Sequence, residues 1–240
     1  MDGIACKRLF SGSSQFLSNS SRDLKNQLYA QVARVGAALS SPKRLELLEL
    51  LAQGEKSVEA LAQAADIDVK LASAHLRVLR EAQLVHARRE GKNRIHRLSG
   101  SDVSDLWVSL RELAQAHLAE LQLAMAGLAA EPGSLRPESA RSLLDKVRAG
   151  DVVLLDVRPE AEFRTAHLPG ARSVPLDELE ARIRELPSDR EIVAYCRGPF
   201  CLMSDAAVTL MRRHGLRARK CADGVPEWRA AGLPLELDSA

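Results

Sequence analysis

The chain has 240 residues, 46% of them apolar and 28% charged, with a formal net charge of +2. At roughly 100–200 residues per domain this length accommodates two cores, and the charge content combined with strand-sized apolar runs argues against both disorder and a membrane span. Four cysteines (Cys6, Cys196, Cys201, Cys221) are too few for a disulfide scaffold and the N-terminus shows no apolar signal core, so a reduced, cytoplasmic protein is expected, with no membrane partner.

In chain order, residues 1–20 are Ser-rich and aperiodic and are expected to be a mobile arm. From Asp23 to Leu51 apolar positions follow helical spacing, interrupted at Ser40-Ser41-Pro42, where a cap and an N1 proline predict a fresh helix start. Ser57 and Asp68 are N-cap candidates for two short helices, the second running to about Glu81. Leu84–Arg89 and Arg94–Leu98 read as strands joined by Glu90-Gly-Lys-Asn, whose Gly and Asn supply the positive φ of a tight hairpin. A single long helix is predicted from Ser101 to Leu128, with Leu106, Leu110, Leu113, Leu121, Met125 and Leu128 on one stripe. Residues 21–128 thus form one predicted domain.

Residues 129–136, with Pro132 and Gly133, are the predicted linker to a second domain over 137–240. There Val152–Val157 and Glu191–Tyr195 are nearly continuous apolar runs of the type buried in a parallel sheet. Helical stretches at Pro137–Arg148, Leu176–Glu185 and Leu202–Arg213 alternate with them, which predicts an α/β three-layer sandwich with a mostly parallel sheet.

Charge distribution says more than net charge. Between Lys70 and Arg97 there are eight basic and two acidic residues, a local excess that suits a polyanion. Two short helices with a tight turn, followed by a basic hairpin, describe a winged helix-turn-helix. On its second helix Leu71, Leu76 and Leu79 are expected to pack inward, leaving Lys70, Ser73, Ala74 and Arg77 for a DNA groove. Arg88, Arg89, Lys92 and Arg94 would form a wing against the sugar-phosphate backbone. The stretches Leu39-Ser-Ser-Pro-Lys-Arg-Leu45, Ser57-Val-Glu-Ala-Leu-Ala62, His75–Val85, Arg88–Lys92 and Ile95–Leu98 resemble the ArsR-type winged-helix repressors over about residues 23–128. The resemblance implies a homodimer on a partly palindromic double-stranded operator, with the Ser101–Leu128 helix in the dimer seam. Two departures stand out: Val58-Glu-Ala-Leu replaces the Cys-x-Cys pair of the metal-sensing members, and Gln83 replaces the Gly before Leu84. His75, His86, His96 and His117 are expected to be packing or solvated residues, so neither a metal nor a cofactor is expected.

In the second half Cys196 follows an apolar strand and opens the loop Cys196-Arg197-Gly198-Pro199-Phe200-Cys201-Leu202, after which a helix starts. Amides converging on such a loop lower a thiol pKa, and the predicted outcome is an ionised, exposed sulfur nucleophile. The motifs Asp156-Val-Arg-Pro-Glu160, His167-Leu-Pro-Gly-Ala171, Val174-Pro-Leu176, the Cys196 loop and Asp223–Pro234 closely resemble the rhodanese (sulfurtransferase) domain from about Pro137 to Leu237. By that resemblance Cys196 accepts sulfane sulfur from thiosulfate, polysulfide or a persulfide; Asp156 and Arg158 form a structural ion pair, and Arg197 attracts an anionic donor. Related phosphatases and arsenate reductases need an Arg after five intervening residues, where this chain has Leu202. Cys201 is either a resolving thiol for Cys196 or an apolar filler. The expectation is a DNA-binding regulator that couples sulfur or redox status to its operator. The alternatives are a sulfurtransferase whose winged helix only dimerises it, or a repressor with an inactive rhodanese appendage.

Overall fold

A computed structural model describes residues 11–128 and 139–237 of the chain. The predicted linker, 129–136, and the first ten residues of the predicted arm lie outside the described residues. The first helix, α1 (Ser11–Leu39), begins ten residues into the stretch expected to be an irregular arm. Serines weaken the helical signal because their hydroxyls compete for the backbone, yet a helix already nucleated downstream extends at one hydrogen bond per residue.

Helix α2 (Pro42–Ala52) starts behind extended Ser41 with its proline in the first turn. Strand β1 (Lys56–Ser57) leads into α3 (Val58–Ala64), whose Ala60 amide is capped by the Ser57 hydroxyl. Helix α4 (Val69–Glu81) is capped at Leu71 by the Asp68 carboxylate, 2.9 Å away. Strands β2 (Val85–Glu90) and β3 (Asn93–Leu98) pair in antiparallel register around Gly91, which takes φ 59°, and β1 adds to the far edge of β3. Gln83 adopts the left-handed φ of 60°. The geometry of the turn before Leu84 is therefore kept without glycine, and the Gln83 side chain donates to the Arg80 carbonyl at 3.2 Å.

The inward face of α4 differs from expectation. Ala72, Leu76 and Leu79 are buried, whereas Leu71 is 41% exposed. At 100° per residue, positions 72, 76 and 79 share one stripe and 71 lies a third of a turn away. These three join Leu47, Leu48, Leu51, Leu61 and Val85 in the N-terminal core.

The predicted 101–128 helix is two helices, α5 (Ser101–His117) and α6 (Ala119–Leu128), separated by Leu118 in an extended conformation. Helical periodicity continues through the break, so pattern alone does not reveal it. The Gln122 amide satisfies the Gln115 carbonyl at 2.8 Å, which makes the interruption tolerable. The leucine stripe is not the buried one: Leu106 and Leu113 are 40% and 59% exposed, and α5 instead buries Val103, Ser104, Trp107, Val108 and Arg111.

The C-terminal half is a four-stranded parallel sheet in the order β5-β4-β6-β7, formed by β4 (Val152–Asp156), β5 (Arg172–Ser173), β6 (Glu191–Tyr195) and β7 (Ala218–Lys220). Alternation along β4 and β6 makes two cores. Val153, Leu155, Ile192 and Ala194 face α9 (Leu179–Arg182) and α10 (Met203–Arg213). Leu154, Val193 and Tyr195 face α7 (Ala140–Ala149) and α11 (Val225–Ala230). A further helix, α8 (Glu160–Thr165), follows β4. Among the described residues, no helix is long and apolar enough to cross a membrane.

Candidate functional site: a cysteine loop roofed by the winged helix

The β6 strand ends at Tyr195, so Cys196 sits at the carboxyl edge of the sheet, where open α/β folds place their ligands. The loop then curls back: Gly198 adopts φ 146°, and the Cys201 amide donates to the Gly198 carbonyl at 3.1 Å. The Cys201 amide is thus taken by the loop itself. The Cys196 Sγ lies 3.1 Å from the Ser204 hydroxyl at the start of α10 and 3.4 Å from the Cys201 carbonyl. Burial opposes ionisation of the Cys196 thiol, but hydrogen bonds from the Cys201 thiol, the Ser204 hydroxyl and the main chain of Ser204 and Gly198 outweigh it and lower its pKa to about 6. The hydrogen bond to Cys196, reinforced by burial, keeps the Cys201 thiol protonated far above its usual range. The Cys221 thiol is likewise pushed up, to about 12, chiefly by burial.

One expectation fails. The sulfur is not exposed: Cys196 is 2% accessible. Leu202 at the loop's end is 53% exposed, while Phe200 meets Trp107 of α5 edge-on, with ring centroids 6.2 Å apart. Arg111 of α5 lies 5.9 Å above the Phe200 ring and forms a buried ion pair with Glu227 of α11 at 2.7 Å. A neighbouring module closes over the loop, which no pattern within residues 196–202 encodes.

Beneath the loop, Asp156 and Arg158 are fully buried and paired side-on, with Nη2 to Oδ2 at 2.6 Å. The Tyr195 hydroxyl also donates to Asp156 and accepts from the Leu168 amide. Arg158 makes its remaining contacts to the Ala166 carbonyl at 2.8 Å and, from the N-terminal half, to Gln53 Oε1 at 2.8 Å. Arg197, expected to attract an anionic donor, is engaged by Glu162 at 2.9 Å, and Glu162 also binds Lys56 at 3.0 Å. One carboxylate thus serves two cations, so the cluster keeps a net positive charge, while the Arg197 guanidinium itself is held by Glu162. Pro199 is half-buried and Gly198 buried. A side-chain carbon at Gly198 would lie 3.2 Å from the Glu227 carboxylate, a tight contact at a position whose φ of 146° already favours glycine.

Glu49 of α2 lies at the same junction, with one carboxyl oxygen buried and unpartnered among the described residues. Burial raises its pKa to about 7 against the opposing pull of Arg111. Sequence reasoning missed Ser204, Gln53, Lys56, Trp107 and Arg111, and gave no role to Glu162 or Glu227. Ser204 alone had a local signal, a hydroxyl in the first turn of the helix that follows the loop.

In the N-terminal half, Lys70, Ser73, Ala74 and Arg77 are all exposed on α4, and Arg88, Arg89, Lys92 and Arg94 are exposed on the hairpin. Arg88 is held by Glu55 at 2.6 Å and by Glu90. His96 is buried, and burial with Arg94 and Arg80 nearby lowers its pKa to about 4. Among the described residues, no group of three or more His, Cys, Asp and Glu side chains is placed to hold a metal ion.

Residues 41–87 match the bacterial regulatory protein, arsR family, and residues 139–231 match the rhodanese-like domain. The chain is 44% identical over 214 residues to the HTH-type transcriptional regulator Rv0324 of Mycobacterium tuberculosis, across 89% of this chain and 94% of that protein. A sulfurtransferase of Allochromatium vinosum is 32% identical over 85 residues, covering 35% of this chain and 78% of that protein. The homodimeric winged helix-turn-helix DNA-binding domain Mb0332 of Mycobacterium bovis, solved in solution, is 46% identical with a TM-score of 0.38, covering 40% of this chain and 89% of that one. The chain belongs to the ArsR family of transcriptional regulators and carries a rhodanese domain as its C-terminal half.

Proposed function

We propose that this regulator accepts sulfane sulfur on Cys196 and that the sulfur load sets its grip on an operator. The observation that carries the reading is the Cys196 sulfur at the carboxyl end of β6, 3.1 Å from the Ser204 hydroxyl at the start of α10, an arrangement that lowers the thiol pKa to about 6 despite its burial. A thiolate attacks the outer sulfur of thiosulfate; the S–S bond breaks and sulfite leaves with the electron pair, which leaves a persulfide on Cys196. An acceptor thiolate attacking that outer sulfur would regenerate Cys196. Alternatively Cys201, whose thiol the hydrogen bond to Cys196 keeps protonated, gives up its proton once that bond is broken by loading; its thiolate attacks the inner sulfur, hydrosulfide leaves and a Cys196–Cys201 disulfide closes. Asp156 and Arg158 support the loop from below.

The DNA contact would use Lys70, Ser73, Ala74 and Arg77 in the major groove and Arg89, Lys92 and Arg94 on the backbone, with Arg88 contributing less because two carboxylates already hold it. The homodimer would bury Leu24, Leu28 and Val32, which are 58%, 61% and 71% exposed at four-residue spacing on α1, together with Leu113 of α5. The test begins by selecting bound duplexes from random-sequence DNA. Affinity is then measured with and without polysulfide, for wild type and Cys196→Ser. The expected result is a polysulfide-dependent change in wild type alone; four identical affinities overturn the reading.

A further inference from the structure

The winged-helix half holds the cysteine loop and its supports at several points. On one flank, Gln53 at the end of α2 donates to the Arg197 carbonyl at 3.2 Å and accepts from Arg158. Next to it Lys56 binds Glu162, the carboxylate that holds the Arg197 guanidinium. On the other flank, Glu227 is a wedge. One oxygen takes Arg111 of α5 at 2.7 Å and the other takes the Gly224 amide at 2.7 Å. Gly224 in turn lies against the Cys196 carbonyl so closely that a side-chain carbon there would be 2.5 Å away. Across the top, Trp107 of α5 covers Phe200. The same helix α5 packs on α2 and on the wing strand β3.

We propose that α5 is a gate: Arg111 and Trp107 of the winged helix hold the Cys196 loop closed, and opening the loop to load sulfur repositions α5 beneath the wing and the recognition helix. This rests on Cys196 being the sulfur acceptor, and it identifies the element through which the load is read. Around Sγ, the Ser204 hydroxyl and the Cys201 and Gly198 carbonyls are already 3.1, 3.4 and 4.0 Å away. Cys196 is 2% accessible, so a sulfur donor reaches Sγ only when the loop moves, and Trp107 and Arg111 of α5 lie over Phe200 of that loop. Packed interfaces of this kind switch between discrete arrangements rather than deforming continuously. Linkage then makes the effect reciprocal: whatever factor sulfur applies to DNA affinity, bound DNA applies to sulfur affinity.

The experiment uses the full chain and iodoacetamide, a small neutral probe of thiol access, with uptake mapped to Cys196 by mass spectrometry. Arg111→Met combined with Glu227→Gln removes both charges of the clamp at similar volume, and Trp107→Leu removes the aromatic lid. Alkylation of Cys196 is expected to rise by roughly 5- to 150-fold, the usual span of coupling between sites. An unchanged rate in variants that melt as cooperatively as wild type overturns the gate, while sulfur uptake by wild type in that case leaves the proposed function standing. Should the variants fail to fold, hydrogen exchange on wild type decides: after alkylation of Cys196, α5 amides should exchange faster, and unchanged α5 exchange overturns the gate. A Cys196 that takes neither acetamide nor sulfane sulfur in any form of the protein overturns both.

Discussion

Replacing Ser204 by alanine tests the chemistry of the loop through a single hydrogen bond. The Ser204 hydroxyl is 3.1 Å from Cys196 Sγ, and Ser204 is completely buried. A hydrogen bond to a charged group contributes about 1.5–3 kcal/mol. At about 1.4 kcal/mol per pKa unit, its loss should move the Cys196 titration up by roughly 1–2 units. Nucleophilicity rises as the thiol becomes more basic, with a Brønsted coefficient of about 0.4–0.5. Ser204→Ala should therefore react with iodoacetamide roughly 2- to 6-fold more slowly than wild type at pH 6, where the thiolate fraction dominates, and roughly 3- to 8-fold faster near pH 9, where both are ionised. The assay is the rate of Cys196 alkylation against pH, read by intact mass, with the wild-type midpoint expected near the value of about 6 that the loop sets. Crossing profiles support the reasoning. Superimposed profiles, or a wild-type midpoint at the ordinary thiol value, would refute it.

Three further outcomes follow from other parts of the molecule. Glu49→Gln should stabilise the protein with a pH signature: because burial raises the Glu49 pKa from 4.5 to about 7, folded-state stability is lost as pH rises between those values, and the glutamine escapes that loss. Denaturant unfolding should show almost no difference at pH 4.5 and a gain of at most roughly 3 kcal/mol at pH 8; a larger gain at the acid end would contradict the assignment. Gln83→Gly, at a left-handed position with φ 60°, should raise stability by up to about 1 kcal/mol, the strain relieved being partly offset by glycine's unfolded-state entropy; a clear loss on urea titration would mean that the Gln83 side chain matters more than its backbone. On DNA, Arg94→Ala should weaken all duplexes alike and reduce the salt slope by about 0.9. Arg88→Ala should do less, since Glu55 and Glu90 hold that side chain; filter binding across a salt series that ranks them the other way would exclude this wing geometry.

Local chemistry determined much of this protein without any contact map. Ser57 and Asp68 cap their helices as their side chains dictate, and Gly91 turns the wing because two antiparallel strands need a positive φ between them. The period-two alternation of β4 and β6 sorts their residues onto two cores. A cysteine at the end of a buried strand, followed by glycine and a helix, was enough to single out Cys196. These are short-range matters, settled by neighbours a few residues apart. What the tertiary structure alone decided was set by packing that no local pattern reports. It chose Trp107 and Arg111, not the leucine stripe, as the buried face of α5; it broke the 101–128 helix at Leu118; it matched Arg197 with Glu162; and it covered the sulfur. Helical periodicity reports that a face can be buried but not which of two candidate faces finds a surface. Arg111 and Glu227, 116 positions apart, become a buried pair only because the two halves dock, and the free energy of that docking appears in no local pattern.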